Sequence, residues 1–466
     1  MSSRLRAPAG PGCDLNEYIG RLLVVGLLGV VCLPGVAAAA GDRDRANSET
    51  KETAKASMSG RPDSLDGAWA EAIGSSHRLK ASRKSTESAR EIYSAAKATR
   101  YPTVTAEGGH VWLDEAPSAI VSLPGLPGLP VALDDQFWAG RVTASVPLFT
   151  SGRIHHGVAA AKAGYSAAQA GENGDTLDLK LGVADAYVKV LRAMRGVRLA
   201  ASSVASLASH SQNVANFYEK GFVAKNDLLA SQVVLADARQ REIQARNALD
   251  LASASYNRLL VRPLTDLVTL EELLPPPAAG DVTEMTVRAC KERPELIAIG
   301  YQAEALHREA KSVRARALPS MGVNGSYIYL GSSLLQRDHV WMLSVVGSWD
   351  IFDSGRTRHK ARAVDDRAEA VAALGEEAKD GVSLQVRQAW LEEGETRRRL
   401  EVTGDAVAQS EENLKVAQDR YRTGTGTNTE VLDAETLRVR SIGNHDNAIY
   451  DAVMAAFRLR RAVGDL

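Results

Sequence analysis

The sequence predicts a mainly helical protein with a smaller β part, built as two tandem repeats. Three observations carry this. Short motifs recur at one spacing, two runs of 68 residues contain no proline, and two segments alternate between apolar and polar residues. Periodicity and repeats of this kind are the primary signals of architecture in a single sequence.

The repeat comes first. Phe149-Thr150-Ser151-Gly152-Arg153 returns 203 positions later as Phe352-Asp353-Ser354-Gly355-Arg356. Ala186-Tyr187 returns at the same spacing as Ala389-Trp390, Tyr218 as Tyr421, Gly221 as Gly424, and Trp138 as Trp341. Upstream, Tyr101-Pro102 pairs with Leu318-Pro319 at a spacing of 217, so the first copy carries 14 extra residues between Pro102 and Trp138. The Leu-Pro-Gly-rich stretch at 123–130 lies in that insertion and reads as an extended loop.

Each copy then runs in the same order. A helix of about 35 residues is expected over 64–100 and 283–317, followed by two strands. A very long helix is expected over 152–219 and 355–422, then a glycine-containing turn and a last helix over 225–260 and 428–463. At 1.5 Å per residue, 68 residues extend about 100 Å, which requires a rod or tube rather than a compact domain. Pro263 and Pro275-Pro276-Pro277 punctuate the join between copies.

The strand pattern has period two. Trp138, Gly140, Val142, Ala144, Val146 and Leu148 fall on one face and Arg141, Thr143 and Ser145 on the other. In the second copy Trp341, Leu343, Val345, Gly347, Trp349 and Ile351 form the apolar set, opposite Ser344, Ser348 and Asp350. Strands are also expected over 103–113 and 320–330, giving four per chain. The alternation fits a half-buried soluble strand or a barrel strand with lipid on one side. Four strands cannot close a pore and open edges cannot sit in lipid, so a membrane role requires several chains.

Composition narrows function. With 56 Lys+Arg against 57 Asp+Glu the chain lacks the basic excess of a nucleic-acid binder. The three cysteines are Cys13, Cys32 and Cys290. The first two lie in a segment that reads as a secretory signal: Arg4, Arg6 and Arg21 precede an apolar run over 22–33, and Ala37 to Ala40 offer a cleavage site. The expected organisation is a signal peptide at 1–40, a disordered segment at 41–63, a first repeat at 64–264, a linker at 265–282 and a second repeat at 283–466. Enzyme signatures are missing: no H-E-x-x-H, G-x-S-x-G or phosphate loop occurs. His155, His156 and His359 sit at helix starts without partners at ligand spacing and read as solvated surface. No catalysis, metal or cofactor is expected.

These residues resemble the TolC-like outer membrane efflux proteins over nearly all of the chain after the signal. The carriers are Arg100-Tyr101-Pro102 and Ala317-Leu318-Pro319 at helix-to-strand joints, the two Ser-Gly-Arg strand-to-helix joints, the turn segments 218–229 and 421–434, and the segment 256–264. The resemblance implies a homotrimer in which each chain gives four strands to one 12-stranded outer-membrane barrel, with the helices forming a hollow periplasmic cylinder. It implies a passive exit duct for a tripartite efflux or type I secretion system, coupled through a periplasmic adaptor to an inner-membrane pump, with outer-membrane lipid around the barrel. The alternative is a periplasmic adaptor or structural coiled coil that never enters the membrane.

The resemblance also assigns residues. Glu430 and Asp433, three apart on one helix face, align with acids that ring the periplasmic constriction, and Tyr421 aligns with a gate tyrosine. Gly426 stands where the best-known members carry a gate arginine, which implies a different latch or a looser tip here. Gly221, Phe222, Val223, Gly424, Thr425 and Gly426 are the expected adaptor-docking tips. Trp138 and Trp341 are the expected membrane-interface aromatics. A bland reading of the acids is that they favour the positive end of a helix dipole.

Overall fold

The computed structural model describes residues 62–115, 118–121, 129–132, 134–331 and 337–466. The expected signal peptide, Cys13 and Cys32 lie outside these residues, as does the expected disordered segment apart from Pro62 and Asp63. The described residues form one unit, Pro62–Leu466.

The elements in chain order are α1 (Leu65–Ser75), α2 (His77–Ala98), β1 (Thr103–Trp112), β2 (Ser118–Val121), β3 (Leu129–Ala132), β4 (Gln136–Phe149), α3 (Arg153–Glu219), α4 (Lys225–Leu260), α5 (Val282–Glu292), α6 (Pro294–Arg314), β5 (Ser320–Gly331), β6 (His339–Ser348), α7 (Arg356–Arg422) and α8 (Asn428–Val463). The long helices α3 and α7 have 67 residues each, and α4 and α8 have 36 each. Within each pair the helices begin and end at positions 203 apart, as the repeat predicts.

Three expectations are corrected. The two helices of about 35 residues are each broken once, at Ser76 and at Arg293, which again lie 217 apart. Ser76 leaves the helical region and its side chain accepts from Leu79 N–H. Arg293 precedes Pro294, whose ring disfavours helical backbone in the residue before it and which then starts α6 at its first turn. The insertion is more than a loop: β2 and β3 pair antiparallel, and Leu129 and Pro130 belong to β3, while 122–128 lie outside the described residues. Finally β6 ends at Ser348, so Trp349 and Ile351 lie beyond the strand.

The strand-to-helix joints show why Ser-Gly recurs. Ser151 and Gly152 both have positive φ (49° and 84°), as do Ser354 and Gly355 (56° and 79°). Two successive left-handed residues swing the chain from strand to helix, and glycine accepts this without a Cβ penalty. The turn is fixed by Ser151 Oγ donating to Pro319 O at 2.5 Å in the first copy. In the second, Asp353 accepts from Gly355 and Thr357 N–H.

α3 is the spine. It packs on α4, α6, α2 and α8, while α7 packs on α8 and α6. Its buried stripe includes Ala163, Ala167, Ala170 and Gly174 at spacings of three and four. These side chains are small enough for close helix approach; a Cβ on Gly174 would lie 3.7 Å from Pro294 Cβ. The main core joins α1, α3, α4 and α8 around Tyr187, Tyr256, Val190, Leu260 and Val453. Val268, Leu270 and Leu273 of the inter-repeat segment pack against it. Asp63 forms a parallel bridge with Leu270 and pairs with Arg262 at 2.7 Å, so the end of the segment expected to be disordered is anchored.

Arg461 of α8 ties three helices together, meeting Asp178 of α3 at 2.7 Å and Glu295 of α6. Burial works to raise the Glu295 carboxyl, but hydrogen bonds from Arg461 and Arg293 overcome it and hold it at about 2. The next residue, Ala462, is buried in a second core with Val386, Leu459 and Val463.

Candidate functional sites at the sheet and the helical tip

The sheet order is β1-β4-β5-β6, antiparallel throughout. Its register places Trp138, Val142, Tyr327, Trp341, Leu343 and Val345 on one face. The opposite face is mixed: it carries Thr105, Arg141, Thr143, Ser145, Asn324, Ser326 and Ser344 together with Ile328, Val340, Met342 and Val346, and Thr143 and Ser326 hydroxyls meet at 3.1 Å. The apolar face is uncovered: Trp138 is 62% exposed and Trp341 78%. Aromatic rings gather at one end of this face. His110 contacts Trp112 and Trp138 at 4.3 and 4.9 Å, and Tyr327 contacts Trp341 at 5.0 Å. At the other end Phe149, Trp349 and Phe352 are exposed. β1 and β6 each leave one edge unpaired among the described residues.

The helical tip lies at the far ends of α3 and α7. Gly221 and Gly424 turn the chain with φ of 75° and 77°. Each turn is closed by a backbone bond, Phe222 N–H to Phe217 O and Thr425 N–H to Arg420 O, both 2.9 Å. Val214, Leu414, Ala417, Tyr421, Val431 and Ala434 form an apolar cluster here, with Phe217, Val223 and Leu228 packed against it. All four long helices therefore contribute to one tip core.

The expected tip residues divide into two groups. Gly221, Phe222, Gly424 and Thr425 are exposed, Phe222 at 75%, whereas Val223 packs inward on the cluster. Tyr421 is buried, its ring 5.1 Å from His210 and 5.7 Å from Phe217. Burial, with a smaller contribution from Asp227, raises its phenol above the ordinary value.

The acids also separate. Asp433 is exposed, with no ion pair among the described residues. Glu430 Oε2 lies 3.1 Å from Arg420 Nη1, an ionic contact across the turn. Arg420 Nη2 donates to Thr425 O at 3.2 Å. Gly426 makes room for this arrangement: a Cβ there would lie 3.0 Å from Arg420 Cβ, 3.2 Å from Arg420 C and 3.2 Å from Glu430 Oε2. Arginine at 426 would collide with the Arg420–Glu430 contact, so glycine at that position and the ion pair belong together.

Arg420, His210 and Asn428 join the tip without a motif in the sequence to mark them. His210 Nε2 lies 2.8 Å from Asn428 Oδ1, and Asn428 Nδ2 donates to Asp227 O at 3.2 Å. The available signal was a polar residue, Asn428, opening a helix beside an apolar run. Among the described residues no group of three or more His, Cys, Asp or Glu side chains is placed to hold a metal ion.

Residues 69–260 and 286–465 match the outer membrane efflux protein family, one segment in each repeat. The chain belongs to that family. Curated relatives include the alkaline protease secretion protein AprF of Pseudomonas aeruginosa, 25% identical over 62% of this chain and 62% of its own length. The outer membrane protein TolC of Vibrio cholerae is 22% identical over 65% of this chain and 69% of its own length. The AprF match thus spans less than two thirds of that relative. Among solved structures, the outer membrane protein VceC of Vibrio cholerae superposes with a TM-score of 0.73 at 16% identity, covering 86% of this chain and 96% of that one. The efflux-family fold is therefore that of the described residues, including the helical hairpins and the four-stranded sheet.

Proposed function

We propose that this chain is an outer-membrane exit duct. Three copies would join their sheets edge to edge into one barrel and their helices into a periplasmic tube. The observation that carries this is the sheet: an uncovered apolar face, an opposite face that bears the hydroxyls, and two unpaired edges among the described residues. Unpaired backbone groups cannot face hydrocarbon, so such a sheet enters a bilayer only when other copies close it. The apolar face then meets lipid, with Trp138 and Trp341 at a membrane interface, and the hydroxyl-rich face lines water. The repeat domains are 64–264 and 283–466, joined by 265–282.

The duct supplies no energy of its own. Its exposed tip residues Gly221, Phe222, Gly424 and Thr425 are the surface for a periplasmic adaptor, which couples it to an inner-membrane pump of an efflux or type I secretion system. Tyr421, Glu430 and Asp433 stand at the gate. Purified protein added to a planar lipid bilayer tests the reading. Discrete, long-lived conductance steps support it; a protein that never inserts contradicts it.

A further inference from the structure

The tip holds a buried imidazole that the duct itself does not use. His210 is 5% exposed, on α3, and its partner Asn428, 4% exposed, opens α8. The direction of the hydrogen bond follows from the network. Asn428 Nδ2 donates to Asp227 O on α4, which leaves Oδ1 as the acceptor, so His210 Nε2–H donates across 2.8 Å. One carboxamide thereby links α3 and the start of α4 to the start of α8, joining the first hairpin to the second.

We propose that His210 and Asn428 form the clasp that holds the two hairpin tips of a chain together, and that acid releases it. The inference rests on the reading of the chain as a duct closed at this tip.

The surroundings of His210 supply no compensating charge. From α7, Tyr421 presents its ring at 5.1 Å. From α4, Asp227 offers Asn428 its backbone carbonyl. From α8, Glu435 is engaged by Arg438 at 2.8 Å and by Ser206 at 3.0 Å. Among the described residues the histidines within ion-pairing distance of a carboxylate are His307 and His339, and His210 is not one of them. A proton on the imidazole would leave the bond to Asn428 in place but put a positive charge in a desolvated site. Burial accordingly lowers its pKa, against the opposing effect of the Asn428 hydrogen bond.

The sign of the pH effect follows. The closed tip binds a proton less readily than an open, hydrated one, where imidazole has its ordinary pKa of about 6.5. Closure is therefore fully favoured above that value and weakens as pH falls below it. If the closed state excludes the proton, going from about pH 7.5 to about pH 5 raises the open-to-closed ratio up to about thirtyfold per chain.

Single-channel recording in planar bilayers at the two pH values tests this with the full chain, His210→Gln and His210→Ala. The parent should open more at low pH. His210→Gln keeps a donor for Asn428 and cannot titrate, so it should stay closed at both. His210→Ala should open at both. A parent indifferent to pH, or a Gln variant that keeps the parent's acid response, overturns the clasp. Failure of the parent and every variant to conduct overturns the duct reading itself, and the clasp with it.

Discussion

Val261 ends α4 in the left-handed conformation that Gly464 takes at the end of α8, with φ of 60° and 93°. The two positions are 203 apart, and both helices close with a backbone N–H reaching back into the last turn. A β-branched residue in this conformation is strained by about 1–2 kcal/mol relative to glycine. Glycine offsets part of that gain through the greater entropy of its unfolded chain. Val261→Gly should therefore raise stability by about 0.5–1 kcal/mol, seen as a higher midpoint in thermal melting followed by circular dichroism. An unchanged or lower midpoint would mean that Val261 is not strained.

The apolar face gives a second prediction. Val345 shares that face with Trp341 and Leu343 and is exposed. Val345→Arg should cost about 2–4 kcal/mol at a position near mid-bilayer. The amount of assembled protein in outer-membrane fractions should drop accordingly. Normal abundance of the variant would remove the face from lipid.

The turns give a third. Gly221 and Gly424 hold φ of 75° and 77°, and proline is locked near −65°. Gly221→Pro or Gly424→Pro should distort the tip while leaving the sheet untouched. Export should be lost with the assembled protein still in the membrane. A cysteine placed at exposed Phe222, in a Cys290→Ala background, should cross-link to a periplasmic partner. Variants that export normally, together with no captured partner, would show that the tip docks nothing.

The acids give a fourth, sharper than residue spacing alone allows. Spacing puts Glu430 and Asp433 on one helix face, suggesting equal contributions to a negative ring. The ion pair with Arg420 makes them unequal. Asp433→Ala should remove an uncompensated charge and lower cation preference in bilayer reversal-potential measurements at low salt. Glu430→Ala should free Arg420 and move selectivity further toward anions. Unchanged permeability ratios in both variants would place these acids away from the pore.

The repeat explains how much can be read in advance. Proline-free runs and paired glycine turns mark α3, α4, α7 and α8 at their observed ends, because a local signal stands at each boundary. The β alternation places Val142 and Val345 on one face for the same reason. The break at Ser76 is hidden because serine inside a helical pattern is ordinary until its backbone leaves the helix. Arg420–Glu430 and His210–Asn428 are illegible for another reason. The first crosses a turn whose shape must be known, and the second joins residues 218 positions apart.

Closure of one outer-membrane barrel by several copies is tested most directly by gel migration of membrane fractions. The protein should sediment with the outer membrane, run as a trimer in unheated detergent samples, and shift to a monomer on boiling. A soluble monomer whose migration does not change with heating would contradict it.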